Sequence, residues 1–317
     1  MTTVSTRHLV DPQLLPLLDT VPAVDLDAST LAQMRSAPPR FAVRPQDVGR
    51  TSMTPRAAPG RDGAPDVPVI VYRPTGAEGP LPCILHIHGG GYVLGSAAAG
   101  EAAHRPLAAD LGCCIVSVDY RLAPETTHPG PVEDCYAALA WTLANADDLG
   151  VDPARVGVMG ESAGGGLAAG LALLARDRGE HRLAFQHLIY PMIDDRTVTH
   201  PDPHPFVGEF VWTPRRNHFG WKSLLGMDPG AEGVSPYAAA ARAEDLTGLP
   251  PTYIATGALD LFLEEDLDYA RRLTRAGIPV ELHVYPGAYH DFQWDRSADV
   301  TRQAETDSRS ALARALR

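Results

Sequence analysis

The stretch "VGVMGESAGGGLAAG", Val156 to Gly170, runs from an apolar, strand-like segment through Gly-Glu-Ser-Ala-Gly into a segment patterned as a helix. Ser162 stands at this junction, between Gly160 and Gly164. In an open α/β sheet, chemistry gathers at the carboxyl ends of the strands, and small flanking residues allow a strained turn that lifts a serine hydroxyl off the backbone. The pattern therefore favours Ser162 as a nucleophile, with a purely structural tight turn as the alternative.

Strand and helix patterns alternate from about residue 80 to the end of the chain. Apolar runs bounded by glycine or proline, such as "CILHIHGGG", "CCIVSVDY" and "PTYIATGALD", predict strands. Apolar residues spaced three and four apart, as between Val132 and Asn145, predict helices. Near-continuous apolar strands that alternate with helices are typical of a mostly parallel sheet with helices on both faces, and thus of an α/β fold.

Composition excludes several classes of function. The 317 residues carry 27 basic and 39 acidic side chains, a net charge of −12, which argues against nucleic-acid binding. No apolar run reaches the roughly 18 residues of a membrane span, and the start of the chain has no signal-peptide pattern, so no membrane association is expected. Four cysteines without metal-ligand spacing indicate reduced thiols in a cytoplasmic protein.

A second motif, "HIHGGGYVLG", follows another predicted strand. Consecutive glycines expose unhindered backbone N–H groups, and the amides of Gly90 and Gly91, together with that of Ala163, would stabilise the negative charge that develops on a carbonyl oxygen. A flexible turn is the alternative. His88 is expected to brace this loop and to take no part in proton transfer. His86 and His88 make a poor metal pair because no further ligands follow in the sequence.

The order of the remaining candidates supports nucleophilic catalysis. Asp260 follows the strand pattern "PTYIATGA", and His290 follows "VELHVYPGAY". Chains with a serine on such a turn place the acid and then the histidine after it. Ser162, Asp260 and His290 would then be the nucleophile, the orienting anion and the general base. The alternative for Asp260 is that it caps the helix that begins beside it.

These motifs together resemble a known family. "HGGGY" at His88, "DYRLAPE" at Asp119, "GESAGGG" at Gly160, the Asp after "ATGAL" and the late "YHDF" are similar to those of the bacterial hormone-sensitive-lipase-like carboxylesterases of the α/β-hydrolase fold. The resemblance covers residues 65–295. It implies a serine carboxylesterase whose triad is Ser162, Asp260 and His290, and a helical cap over the catalytic core.

The resemblance also implies how the chain is divided. Residues 1–50 would form the N-terminal part of the cap, and residues 194–232 an inserted cap segment that interrupts the strand–helix alternation. The catalytic core would consist of residues 51–193 and 233–317. Four side chains of the insertion are candidates for the substrate pocket: Phe206, Phe210, Val211 and Trp212.

Two residues depart from the family pattern. Glu161 stands where Asp or Thr is common and is expected to support the nucleophile loop. Asp291 stands where Gly is usual, and a second carboxylate beside His290 would raise the pKa of the base.

The expected activity is hydrolysis of short- to medium-chain acyl esters of small molecules through an acyl-enzyme, with neither metal nor organic cofactor. A homodimer paired through the strand at "PVELHVY" is also expected. Alternatives on the same scaffold are an amidase, an arylformamidase, a lactonase or a non-catalytic small-molecule-binding protein. A dinucleotide-binding fold is disfavoured because the glycines at 164–166 lie inside the helix pattern instead of opening it.

Overall fold

The strand at the centre of the sheet is the one that leads into Ser162. In the computed structural model, which describes residues 5–21 and 24–317, eight strands form one sheet. They are β1 (Thr51–Ala58), β2 (Val67–Pro74), β3 (Leu81–Ile87), β4 (Cys114–Val118), β5 (Val151–Glu161), β6 (Gln186–Ile189), β7 (Thr252–Gly257) and β8 (Val280–Tyr285). Their order across the sheet is β1-β2-β4-β3-β5-β6-β7-β8.

The sheet is mostly parallel. The pairs β1/β2 and β2/β4 are antiparallel, and every pair from β4/β3 to β7/β8 is parallel. The carboxyl ends of β3, β5, β6, β7 and β8 therefore meet at one edge, where the sequence places its candidate residues. The predicted α/β-hydrolase fold is confirmed.

Ten α-helices lie in the described part of the chain. They are α1 (Leu15–Leu18), α2 (Leu31–Arg35), α3 (Pro45–Val48), α4 (Glu101–Leu111), α5 (Gly130–Ala144), α6 (Ala146–Leu149), α7 (Ala163–Arg178), α8 (Pro214–Leu225), α9 (Leu263–Arg275) and α10 (Asp299–Ala315). None of these helices combines the length and apolarity that crossing a membrane requires.

The helices cover both faces of the sheet. On one face, strand residues such as Leu85 and Val116 share the main core with α5, α7 and α9. The alternate strand residues, such as Ile84 and Ile115, point to the other face of the sheet. They share a smaller core with Leu107 of α4 and Leu312 of α10. The core under α4 and α10 has far fewer members.

The apolar patterns of the sequence do not predict two of the elements, α4 and β1. Helix α4 carries Pro106 inside it and buries polar side chains, so its apolar periodicity is weak. Strand β1 is mostly exposed and contains Pro55, which an edge strand tolerates because only one side of it is paired.

The two segments predicted to form the cap contact each other. Arg215 of α8 forms an ion pair with Asp25 at 2.8 Å, and Arg216 donates a hydrogen bond to the carbonyl of Val24. Glu209 of the insertion accepts hydrogen bonds from Ser5 and Thr6. The division into cap and core remains a prediction that these contacts support.

Candidate active site

Ser162 lies on a sharp turn between β5 and α7. Its backbone has φ 55° and ψ −123°, a strained conformation for a residue with a side chain. The turn needs glycine on both sides, because a Cβ at Gly160 would lie 2.2 Å from the carbonyl oxygen of Gly164. A Cβ at Gly164 would in turn lie 2.0 Å from the carbonyl oxygen of Ile87. The sequence therefore dictates this turn, which aims the Ser162 hydroxyl away from the backbone.

The fold brings three distant side chains together at the carboxyl edge of the sheet. His290 Nε2 lies 3.0 Å from Ser162 Oγ, and His290 Nδ1 lies 2.8 Å from Asp260 Oδ2. Asp260 follows β7 and is fully buried, and its other oxygen accepts a hydrogen bond from the backbone N–H of Phe262 at 3.0 Å. This N–H lies two residues further on, at the entry to α9, so Asp260 both holds its loop and faces His290.

Aromatic rings and carboxylates enclose His290. Its ring centroid lies 4.7 Å from that of Tyr190, 5.1 Å from that of Phe262 and 6.1 Å from that of Trp212. Burial disfavours the charged imidazolium, but the negative charges of Asp260 and Asp291 outweigh this effect and raise the pKa of His290 above its ordinary value.

The glycine loop after β3 lies beside Ser162. Gly90 has φ 120° and Gly91 has φ 60°, values that favour glycine. Neither amide donates a hydrogen bond to any residue in the described ranges, and Ala163 opens α7, where backbone amides have no acceptor within the helix. Free N–H groups at a helix N-terminus and on an adjacent loop suit an oxyanion.

His88 is placed to hold this loop. Its ring stacks on Tyr120 with centroids 4.3 Å apart, and its Nδ1 lies 2.8 Å from the carbonyl oxygen of Gly89. The Tyr120 hydroxyl donates to the carbonyl of His88 itself at 2.9 Å. Burial lowers the pKa of His88 to about 4, so the ring is neutral near pH 7.

Glu161 bonds to the neighbouring strand instead of to the glycine loop. Its carboxylate lies 2.9 Å from His86 Nε2, and His86 Nδ1 lies 3.2 Å from Ser117 Oγ. These bonds connect the ends of β5, β3 and β4 directly behind the nucleophile. His86 thus has protein partners for both ring nitrogens, which leaves neither free for a metal.

Asp291 occupies a position that suits glycine. Its φ is 61°, in the left-handed region, where Asp and Asn are among the better tolerated residues that carry a side chain. The Asp291 side chain keeps part of its surface open to the cavity beside Ser162, and burial of the rest raises its pKa.

A cavity of about 780 Å³ opens onto Ser162, which is a typical volume for a small-molecule site. Apolar and aromatic side chains that line this cavity include Phe41, Leu94, Tyr190 and Trp294. Sequence reasoning missed all four. Tyr190 follows directly on a strand at the functional edge, which was a usable signal, whereas Phe41 and Trp294 lie in segments without any pattern.

The four pocket candidates of the insertion do not line this cavity. Phe206 is 46% exposed, and Phe210 packs on Tyr289 with ring centroids 5.9 Å apart. Val211 is buried in a core that also contains Val10 and Leu14, and its φ is 59°. Trp212 is the one member of the group that reaches the catalytic residues, since its ring covers Gly91 and donates through Nε1 to Asn217.

Comparisons with known proteins show which family the chain is similar to. A family model described as the alpha/beta hydrolase fold matches residues 84–294. The carboxylesterase NlhH of Mycobacterium tuberculosis is 35% identical over 316 residues, covering 98% of this chain and 97% of that protein. Esterase LipI of the same organism is 33% identical over 298 residues, covering 92% and 90%.

Solved structures of esterases are also similar to this chain. The chain is similar to a bacterial heroin esterase with a TM-score of 0.88 and 40% identity, covering 99% of this chain and 100% of that one. Esterase LipW from Mycobacterium marinum has a TM-score of 0.82 and 30% identity, covering 98% and 96%.

Proposed function

This chain belongs to the α/β-hydrolase fold family and is a carboxylesterase, and we propose that Ser162 is its nucleophile, His290 its general base and Asp260 the anion that orients the base. The observation that carries this proposal is the continuous hydrogen-bonded chain from Ser162 Oγ through both ring nitrogens of His290 to Asp260. A nucleophile, a base and an orienting group within hydrogen-bond reach are what acyl transfer requires.

In the acylation step, His290 Nε2 takes the proton of Ser162 as Oγ attacks the ester carbonyl. Asp260 accepts a hydrogen bond from Nδ1–H, which fixes the tautomer that leaves Nε2 free to accept that proton. The imidazolium that forms is stabilised by the same carboxylate. It then protonates the departing alcohol, leaving an acyl group on Ser162.

The negative charge on the carbonyl oxygen needs donors that are already in place. We propose the amides of Gly90, Gly91 and Ala163, which lie on the glycine loop and at the start of α7. Preorganised donors of this kind are worth about 3 kcal/mol each in the transition state. The neutral His290 then takes a proton from water as the water attacks the acyl carbonyl, and it returns that proton to Ser162 Oγ as the Oγ–acyl bond breaks and the carboxylic acid leaves.

We propose short- to medium-chain acyl esters of small molecules as substrates. A cavity of about 780 Å³ with aromatic walls supports this class. A series of 4-nitrophenyl esters from acetate to decanoate, run beside matched amides and lactones, tests the proposal and its alternatives. Activity confined to amides or lactones would refute ester hydrolysis as the main reaction.

The nucleophile is tested by Ser162→Ala. Because Oγ forms the covalent bond, kcat should fall by about 10⁴-fold or more, while urea unfolding stays within about 1 kcal/mol of the wild type. Thr142→Ala, which removes a buried hydroxyl on α5 outside the cavity, is the matched control and should keep most of the activity. Substantial esterase activity in Ser162→Ala would overturn the assignment.

We also propose a cytoplasmic location and a homodimer. All four cysteines are buried free thiols, which supports a reducing compartment. Strand β8 is the edge of the sheet and exposes Leu282 and Val284, each 38% accessible, which supports pairing of two copies along this edge. Light scattering of the wild type and of Val284→Lys tests the dimer, and a monomeric wild type would refute it.

A further inference from the structure

The cavity at Ser162 continues past the catalytic residues into a cleft between α4 and α10. The lining residues of α10 recur every three or four positions from Arg302 to Leu312, so they share one helix face and extend for about 15 Å. We call this part of the cavity the side arm. Its walls and floor are Ala103 and Leu107 of α4, Glu305, Ser308 and Leu312 of α10, and Met159 of β5.

The floor of the side arm lies at the centre of the sheet. Met159 is on β5, which has paired strands on both sides, yet its side chain remains partly exposed. Met159 and Glu161 are two residues apart on the strand and therefore point to the same face. Since Glu161 directly precedes Ser162 and also lines the cavity, the side arm joins the nucleophile through Glu161.

The carboxylates that line this end of the cavity have no arginine or lysine partner that the structure describes. Within the described ranges, neither Glu161 nor Glu305 forms an ion pair with an arginine or a lysine. The two arginines that line the side arm do have such partners: Arg302 pairs with Asp299, and Arg309 pairs with Asp110 at 2.9 Å. Among the lining residues of α4, β5 and α10, the uncompensated charge is therefore negative.

His104 of α4 contributes a buried polar atom without a described partner beside the side arm. His104 lines the cavity and is only 2% exposed, yet its Nδ1 has no hydrogen-bond partner among the described residues. A buried polar atom in this state costs free energy unless a ligand or water satisfies it.

We propose that the side arm is a substrate subsite that binds the end of an ester remote from the scissile bond, and that this end is a slim alkyl chain carrying a positive charge. The apolar walls suit the chain, and Glu305 of α10 suits the cation. This inference rests on the proposed function, because the subsite acts only if the ester carbonyl is held at Ser162.

The test compares cationic esters with neutral esters of the same shape. One pair differs in the acyl group: 4-nitrophenyl 6-(trimethylammonio)hexanoate against 4-nitrophenyl 7,7-dimethyloctanoate. The other differs in the alcohol: the acetates of 6-(trimethylammonio)hexan-1-ol and 7,7-dimethyloctan-1-ol. In at least one pair we expect the cationic member to have about tenfold higher kcat/KM at low ionic strength, and this preference to shrink in 0.5 M salt.

Two variants locate the effect. Glu305→Gln should reduce the preference at least about threefold, whereas Glu232→Gln, at an exposed position, should not. Ala103→Phe, which fills the side arm from an exposed position on α4, should lower kcat/KM for the long esters and spare 4-nitrophenyl acetate. Ala154→Phe, exposed at the opposite end of β5, is its control.

The outcomes separate this inference from the proposed function. Equal turnover of both members in both pairs, or an Ala103→Phe variant that handles long esters like Ala154→Phe, would overturn the subsite while leaving the esterase intact. Failure of the wild type to hydrolyse 4-nitrophenyl acetate would instead refute the proposed function.

Discussion

Replacing Asp291 by Asn isolates the effect of the second carboxylate beside the base. Asparagine has the same shape as aspartate and is, after glycine, among the residues that best tolerate the φ of 61° at this position. The substitution therefore removes the charge and leaves the loop as it is. Since the charges of Asp260 and Asp291 together raise the pKa of His290, the variant should keep only the contribution of Asp260.

The expected shift follows from Coulomb's law. Opposite unit charges about 4 Å apart attract each other by about 1 kcal/mol in water and by about 4 kcal/mol at an effective dielectric constant of about 20. Asp291 keeps part of its surface open to the cavity, so solvent screens this interaction. We therefore expect the pKa of His290 to fall in Asp291→Asn, by less than the loss of an unscreened charge would cause.

The assay is the pH dependence of kcat/KM for 4-nitrophenyl acetate, whose acid limb reports the base of the free enzyme. Activity is lost when His290 binds a proton, so a lower pKa moves the acid limb to lower pH. Asp295→Asn is the control, because the Asp295 carboxylate is held by Ser297 and lies outside the cavity. An acid limb of Asp291→Asn that stays in place, or moves to higher pH, would refute this electrostatic reasoning.

Three further predictions concern the loop, the cap and the buried acid. Gly91→Ala would place a Cβ 2.1 Å from the Trp212 ring, so kcat/KM should fall about a hundredfold. Gly233 has a similar φ, and a Cβ added there would have no atom within 4 Å, so Gly233→Ala should keep full activity. An unaffected Gly91→Ala would contradict the assigned oxyanion loop. Arg35→Ala removes hydrogen bonds from α2 to two backbone carbonyls and a carboxylate. Urea denaturation should therefore show a loss of about 1–3 kcal/mol in the free energy of unfolding. No loss would show that α2 is held by other contacts. Burial raises the pKa of Asp266, so the wild type loses stability as pH rises above the pKa that Asp266 has in the unfolded chain. Asp266→Asn should therefore increase the free energy of unfolding more at pH 9 than at pH 5. Equal increases at the two pH values would show that Asp266 is not kept protonated.

The local sequence determined the elements that carry the chemistry. The small residues around Ser162 predict the sharp turn from the sequence alone. The structure explains why they are glycines, since a Cβ at Gly160 or Gly164 would make contacts of 2.0–2.2 Å. The apolar parts of β5, β7 and β8 predict strands, and their carboxyl ends precede Ser162, Asp260 and His290 in the order that such folds use. The apolar pattern failed for α4, where Pro106 and buried polar residues obscure the helical period.

The sequence by itself thus fixed the fold class, the strained turn and the identity of the candidate catalytic side chains, because each depends on backbone sterics or on a periodicity within one segment. Only the tertiary structure decided the shape and charge of the cavity, including the contribution of Trp294 and the exclusion of Phe206. It also left Met159 partly uncovered between α4 and α10. The physical reason is that a wall formed by segments far apart in the chain depends on how helices pack over the sheet, and no single segment encodes that packing.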